Sequence, residues 1–173
     1  MKRWKAVEVN EIDVLVRERI EEALCLLEKW GAGLKGDAGI SSLLERIEQD
    51  VDVTRRLMKD LGVVEACRWC EEAEGGSCCG AGIENRYTSV LLLINLLLGV
   101  RLPERRERLD SCYFLEEKGC CLKVRHVLCV NYLCSRLMTS LSPEGLMTLQ
   151  NASGKELDTG FVLYEVVKKI IGS

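Results

Sequence analysis

Apolar residues recur at helical spacing through most of the chain. The first stripe predicts a helix that has Asn10 as its N-cap and Gly31 as its stop. Its apolar positions are Ile12, Val16, Ile20, Leu24 and Leu27. Cys25 lies in the same stretch, and we expect it to be a small buried residue.

Shorter stretches with the same period predict further helices, and glycines separate several of them. Residues 31–39 are rich in glycine and predict a loop. Ser142 and Pro143 predict the start of a short helix, and Ser153 to Glu156 resembles a capping box that starts the last one. The remaining helices are predicted over 41–49, 53–61, 63–74, 84–98 and 124–141.

These elements predict an all-α fold, a helical bundle with a cysteine-rich cap. Residues 113–122 contain the one short irregular or hairpin segment. We expect a single domain over 1–173. It would comprise N-terminal helices in 1–62, a cysteine-rich metal-binding region in 63–141 and C-terminal helices in 142–173.

The net charge and the hydropathy pattern limit which classes of partner the chain is expected to bind. The net charge is −3, which does not indicate a nucleic-acid partner. The longest apolar stretch, 90–100, is much shorter than the roughly 20 residues of a membrane span. The basic start is followed by Glu8, Glu11 and Asp13 instead of an apolar stretch, so no secretion signal is expected. These features predict a cytoplasmic protein without a membrane partner.

The cysteines are the most informative composition feature. Nine of the ten lie between residues 67 and 134, a density that in a chain without a secretion signal indicates metal binding or redox chemistry. The metal-ligand candidates are Cys67, Cys70, Cys78, Cys79, Cys112, Cys120, Cys121, Cys129 and Cys134.

The spacing of these cysteines suits a shared ion. Cys67 and Cys70 are three apart on a predicted helix, which places their side chains next to each other. Cys78 and Cys79 lie between glycines, where the backbone can turn tightly. All-thiolate ligation favours zinc or an iron–sulfur cluster over hard cations.

The cysteines form a motif in several pieces, which in chain order are Cys67-Arg-Trp-Cys70, Cys78-Cys79-Gly80, Cys112-Tyr-Phe-Leu115, Gly119-Cys120, Arg125-x3-Cys129 and Cys134. This motif resembles the CxxCxxCC family of zinc- or iron-chelating domains, the YkgJ-like proteins. The resemblance covers about residues 67–134. It implies that cysteines of both halves are ligands of one metal or two.

Three departures from the family pattern leave the ligand set open. The spacer between Cys70 and Cys78 is longer, His126 stands where proline is usual, and the 120–125 segment is short, so Cys120 and Cys121 compete for one role. Arg125 lies one helical turn before Cys129, where it could donate hydrogen bonds to thiolates, with a surface position as the alternative.

Several functions remain open at this stage. A zinc-holding protein of unknown cellular role is the first. An iron–sulfur redox enzyme, or a methyltransferase-like enzyme suggested by a branch related to the family, is the second. A disulfide-stabilised helical interaction module in a thermophile cytosol is the third. Enzymatic activity and a protein partner are undecided, because His126 has no visible third catalytic group. The arginines of the charged connector 101–110 are interpreted as solvated.

Overall fold

The computed structural model describes residues 6–73 and 79–172, with residues 6–10 and 71–73 described by their backbone alone. Helices dominate, which confirms the predicted all-α class. The helices are α1 Ala6–Gly36, α2 Ala38–Asp60, α3 Val63–Ala73, α4 Ser89–Leu97, α5 Val127–Asn131, α6 Ser135–Ser140 and α7 Pro143–Ile171. A 3-10 helix at Ile83–Arg86 precedes α4, and strands β1 Leu115–Glu116 and β2 Gly119–Cys120 form the predicted hairpin.

The predicted loop over 31–39 is wrong, because α1 continues through Gly31 and Gly33 and ends at Gly36. Leu34, which is only 2% exposed, extends the buried stripe by almost one more turn. Its burial of about 1.5–3 kcal/mol offsets the cost of about 1 kcal/mol for each helical glycine. The break falls at Asp37, whose side chain accepts a hydrogen bond from the Ile40 amide at 2.9 Å and so caps α2.

The two short helices predicted over 41–49 and 53–61 are one helix, α2. Its buried stripe runs without interruption and places Asp52, which lies between the two predicted ranges, in the helix interior. The helix ends just before Gly62, whose φ of 72° lies in the left-handed region. The buried positions are Ile40, Leu44, Ile47, Val51 and Thr54.

In the last third of the chain, one predicted helix is in fact two helices, and two predicted helices are in fact one. The helix predicted over 124–141 is divided into α5 and α6, because Tyr132 and Cys134 adopt extended backbone angles. The two helices predicted after Ser142 are one, since α7 runs from Pro143 to Ile171. Ser153 and Glu156 are buried in its middle and form no capping box.

The core has a large and a small part. The main cluster lies where α1 packs against α4 and where α2 packs along α7, and it includes Tyr87, Tyr113 and Phe114. The small cluster is centred on Val63, Leu137 and Leu149. Helix α7 contributes residues to both clusters and so connects the two parts of the core.

The buried Asn95 explains the polar interruption of the apolar stretch 90–100. Its Nδ2 donates to Leu91 O and Val124 O, both at 2.9 Å, and its Oδ1 accepts from Val124 N at 3.0 Å. Asn95 therefore ties α4 to the segment after the hairpin without leaving a buried polar group unpaired. Within the described ranges, no helix combines the length and apolar character that crossing a membrane requires.

Candidate functional site

Two separated cysteine segments meet through their backbones. The amide of Cys112 donates to the carbonyl of Cys79 at 2.6 Å. Gly80 and Ser111 form an antiparallel bridge, and Ala81 N donates to Asp110 O at 3.1 Å. Residues 79–81 are therefore held against residues 110–112, as convergence of the two halves of the motif requires.

Tyr87 lies at the centre of the cysteine-rich part of the core. Its hydroxyl donates to Cys129 Sγ at 3.6 Å and accepts from His126 N at 3.1 Å. The Cys129 amide donates to His126 O at 2.7 Å. The Tyr87 ring is 1% exposed and meets Phe114 edge to face, with 5.0 Å between centroids. Tyr87 thus anchors the start of α5 to the core.

Cysteines from three segments are close enough to influence one another's ionisation. Burial raises the pKa of Cys112, and negative charge on Cys120 and Cys129 raises it further. Burial also raises the pKa of Cys121 to about 12, with Cys120 as the next contributor. Burial likewise raises the pKa of the Tyr87 hydroxyl, and Cys129 and Cys120 add to that shift. We name Cys112, Cys120 and Cys129 the thiol cluster.

Two arginines face the thiol cluster. Burial raises the pKa of Cys120, whereas the positive charges of Arg125 and Arg55 lower it. Arg55 Nη2 donates to Leu122 O at 2.5 Å, which fixes this side chain beside the hairpin. The Nη atoms of Arg125 contact Met58 Sδ at 3.9 and 4.0 Å and its Nε has no hydrogen-bond partner among the described residues, so hydrogen bonding to thiolates stays a prediction.

The connector before Cys112 is fixed by a buried ion network. Arg106 Nη2 contacts Asp13 Oδ1 at 2.6 Å and also contacts Glu84 Oε1. Arg106 Nη1 donates to Ser111 O, next to Cys112. Burial alone would lower the pKa of Arg106, but its hydrogen bonds to Asp13 and Glu84 raise it overall. The interpretation of the connector arginines as solvated is therefore wrong for Arg106, which is 8% exposed.

The other predicted ligands have different surroundings. Cys67 and Cys134 pack against the small cluster and not against the main one. Cys70 is half-buried on the same helix as Cys67. Arg136 lies over the Trp69 ring at 3.8 Å, which joins α3 to α6. Cys78 falls outside the described residues.

Cys25 is exposed on α1, so its predicted burial is wrong. Ala23 occupies the buried position of that turn instead, and Leu24 is 48% exposed. The other predicted positions, Ile12, Val16, Ile20 and Leu27, do lie in or against the core.

No disulfide joins any two of the described cysteines. In the same residues, no group of three or more Cys, His, Asp or Glu side chains is arranged to hold a metal ion. The thiol cluster is thus a gathering of donors from separate segments and not a preassembled coordination shell.

The sequence did not predict the burial of three polar side chains near the site. No sequence pattern indicated that Tyr87 and Glu84 are buried, since each stands alone in a segment of mixed polarity. Glu156 was assigned to a helix start, although it is 2% exposed in the middle of α7. Its spacing from Leu149 and Leu163, seven residues on either side, is the signal that could have placed it on the buried face.

Glu156 has an unusual environment for a carboxylate. Arg125 Nη2 lies 3.7 Å from its Oε1, longer than a hydrogen bond. Thr54 is adjacent, but its hydroxyl donates to Asp50 O at 3.1 Å. Burial raises the pKa of Glu156, and the positive charges of Arg125 and Arg55 only partly oppose this effect.

This raised pKa predicts a pH dependence of stability. The folded state binds the Glu156 proton more tightly than the unfolded state does, so the stabilisation is present below the unfolded pKa and is lost as pH rises through the folded one. We expect Glu156→Gln, which mimics the protonated acid, to lose less unfolding free energy than the unmodified chain between pH 4 and pH 7. Urea denaturation across this range measures the difference, and a parallel decline of both proteins would contradict the prediction.

Comparison with models of known protein families, with curated proteins and with solved structures found no match to this chain.

Proposed function

We propose that the chain is a metal-binding protein that holds zinc, or the iron of an iron–sulfur cluster, through the thiol cluster Cys112, Cys120 and Cys129. The observation that carries the proposal is that Cys112, Cys120 and Cys129, which come from a loop, a strand and a helix, pack in the same core cluster as Tyr87, whose hydroxyl donates to Cys129 Sγ. Packing alone does not require sulfur at these positions, whereas a thiophilic metal does.

The fourth ligand would come from Cys79 or Cys121. Cys79 is held beside Cys112 by the 2.6 Å backbone hydrogen bond. Cys121 follows Cys120 directly, and its amide donates to Phe114 O at 3.0 Å. Because no described group is preassembled for a metal, the thiols would draw together by side-chain rotation on binding.

The chemistry of the donors fits a cation. Thiols that raise one another's pKa disfavour the thiolate form, and a bound metal removes this penalty by displacing the protons. Four thiolates around Zn²⁺ carry a net charge of about −2. Arg125 and Arg55 near Cys120 supply positive charge that partly offsets it.

The resemblance of residues about 67–134 to the YkgJ-like motif supports the same proposal, and membership of that family is part of it. Thiolate ligation also requires reduced cysteines, which favours a cytoplasmic location. The proposed role is holding or carrying the metal.

Metal analysis tests the proposal. Protein prepared under reducing, anaerobic conditions should contain about one equivalent of zinc, or about two to four equivalents of iron, per chain, because structural sites are normally filled. A colourless sample identifies zinc, and a brown sample with visible absorption identifies an iron–sulfur cluster. Less than about 0.3 equivalents, after incubation with zinc and removal of excess metal, would contradict the proposal.

A further inference from the structure

A cavity of about 300 Å³ lies between α7 and the segment after the hairpin. Its volume is at the lower end of the range for small-molecule sites. Apolar and polar side chains contribute to its wall in similar number, so a ligand can make both kinds of contact there. The lining residues used below are Leu157, Phe161, Val127, Arg125, Glu156 and Arg86.

The inner wall of this cavity contains unpaired polar atoms. Glu156 is 2% exposed, and neither of its carboxylate oxygens has a hydrogen-bond partner among the described residues. Arg125 Nε, also buried, lacks one as well. An unpaired buried polar group costs about 1–3 kcal/mol and more when it is charged, so such atoms are rare unless something satisfies them. The cavity therefore presents two acceptors beside one donor.

We infer that this cavity binds a small uncharged molecule whose polar edge carries both a hydrogen-bond donor and an acceptor, such as a carboxamide, on an apolar ring. The donor would satisfy Glu156 and the acceptor would satisfy Arg125 Nε. The ring would pack against Leu157 and Phe161, and Phe161 is 67% exposed without such a cover. This inference does not depend on the metal.

The charges around the cavity favour an uncharged ligand. Arg125 and Arg55 both act electrostatically on Glu156, and Arg86 stands at the exposed rim. A cation would be repelled by these arginines, although Glu156 attracts it. An anion would be attracted by the arginines, but its acceptor oxygens would leave the buried carboxyl oxygens of Glu156 without a donor. A neutral amide meets neither penalty.

Three probes of the same shape test this inference on the unmodified chain. Benzamide offers a donor and an acceptor, benzamidinium offers donors only, and benzoate offers acceptors only. We expect benzamide to bind with a Kd on the order of a few millimolar, as its nine non-hydrogen atoms allow. Backbone amide NMR should show shifts at Val127, Leu157 and Phe161. Benzamidinium and benzoate should bind at least about fivefold more weakly.

Variants locate the site. Glu156→Leu should weaken benzamide binding by about tenfold or more, as expected for a lost hydrogen bond to a charged group. Phe161→Ala should weaken it about threefold and, being at an exposed position, should not disturb folding. Val162→Ala is the matched control, since Val162 is 47% exposed on the next position of α7 and outside the cavity lining.

The outcomes separate clearly. The site would be overturned if 50 mM benzamide caused no NMR shifts, or if the shifts appeared at other residues. It would also be overturned if Phe161→Ala left benzamide binding unchanged. Benzamidinium or benzoate binding as tightly as benzamide would overturn the ligand class. Circular dichroism of each variant shows whether Glu156→Leu is folded, and if it is not, the probe series and Phe161→Ala decide.

Discussion

Replacement of Cys112 by serine is expected to weaken zinc binding roughly 10²- to 10³-fold. Zinc in small four-ligand sites binds with an apparent free energy of about 10–16 kcal/mol, so each ligand accounts for about 2.5–4 kcal/mol. Cys112 is 6% exposed and lies between the connector and the hairpin, so a neighbouring thiol does not readily replace it. Competition with a chromophoric chelator measures the affinity.

The matched control is Cys25→Ser. Cys25 is exposed on α1, outside the cysteine-rich region, so its replacement should leave the zinc affinity unchanged. Cys120→Ser and Cys129→Ser should behave like Cys112→Ser. Retention of zinc by all three variants, with loss in Cys67→Ser, would move the site to the small cluster and refute the assignment.

Replacement of Arg106 by methionine is expected to destabilise the fold by about 3–5 kcal/mol. Methionine keeps much of the length and apolar stem, but it leaves the carboxylate of Glu84, which is 0% exposed, without its cation. Removing one partner of a buried ion pair costs more than the pair contributes, because the remaining charge stays desolvated. Urea denaturation at pH 7 measures the loss.

Arg105→Met provides the comparison for this result. Arg105 is exposed on the same connector, so its replacement should change the unfolding free energy by no more than about 0.5 kcal/mol. A loss below about 1 kcal/mol in Arg106→Met would mean that Glu84 finds other compensation in the folded chain.

The sequence was sufficient to predict the fold class but not the positions at which the helices begin and end. Periodicity places an apolar face wherever a helix packs, so the all-α class followed directly. Glycine was misleading in α1, because tertiary burial of Leu34 outweighs a local preference that is worth only about 1 kcal/mol. Conversely, nothing local marks the extended backbone at Tyr132 and Cys134, which divides a well-patterned stretch.

The candidate site was predictable in its residue types and not in its grouping. The density of cysteines indicated the region of the candidate site, and the backbone hydrogen bond between Cys112 and Cys79 joins two segments of that region. The separation of Cys67 and Cys134 from the thiol cluster depends on how α3 and α6 pack, which no local pattern encodes. Arg106 and Glu156 were missed because charged residues are seldom buried.

The network around Arg106 has a consequence for the order of assembly. Asp13 and Arg106 are 93 residues apart in the chain, so their contact closes a long loop and carries the entropy cost of doing so. The segment that carries Cys112 is therefore expected to dock late in folding. Until then the sulfur atom of Cys112 remains open to solvent. An incoming ion or oxidant would therefore reach it before the tyrosine and phenylalanine rings of the core pack around it.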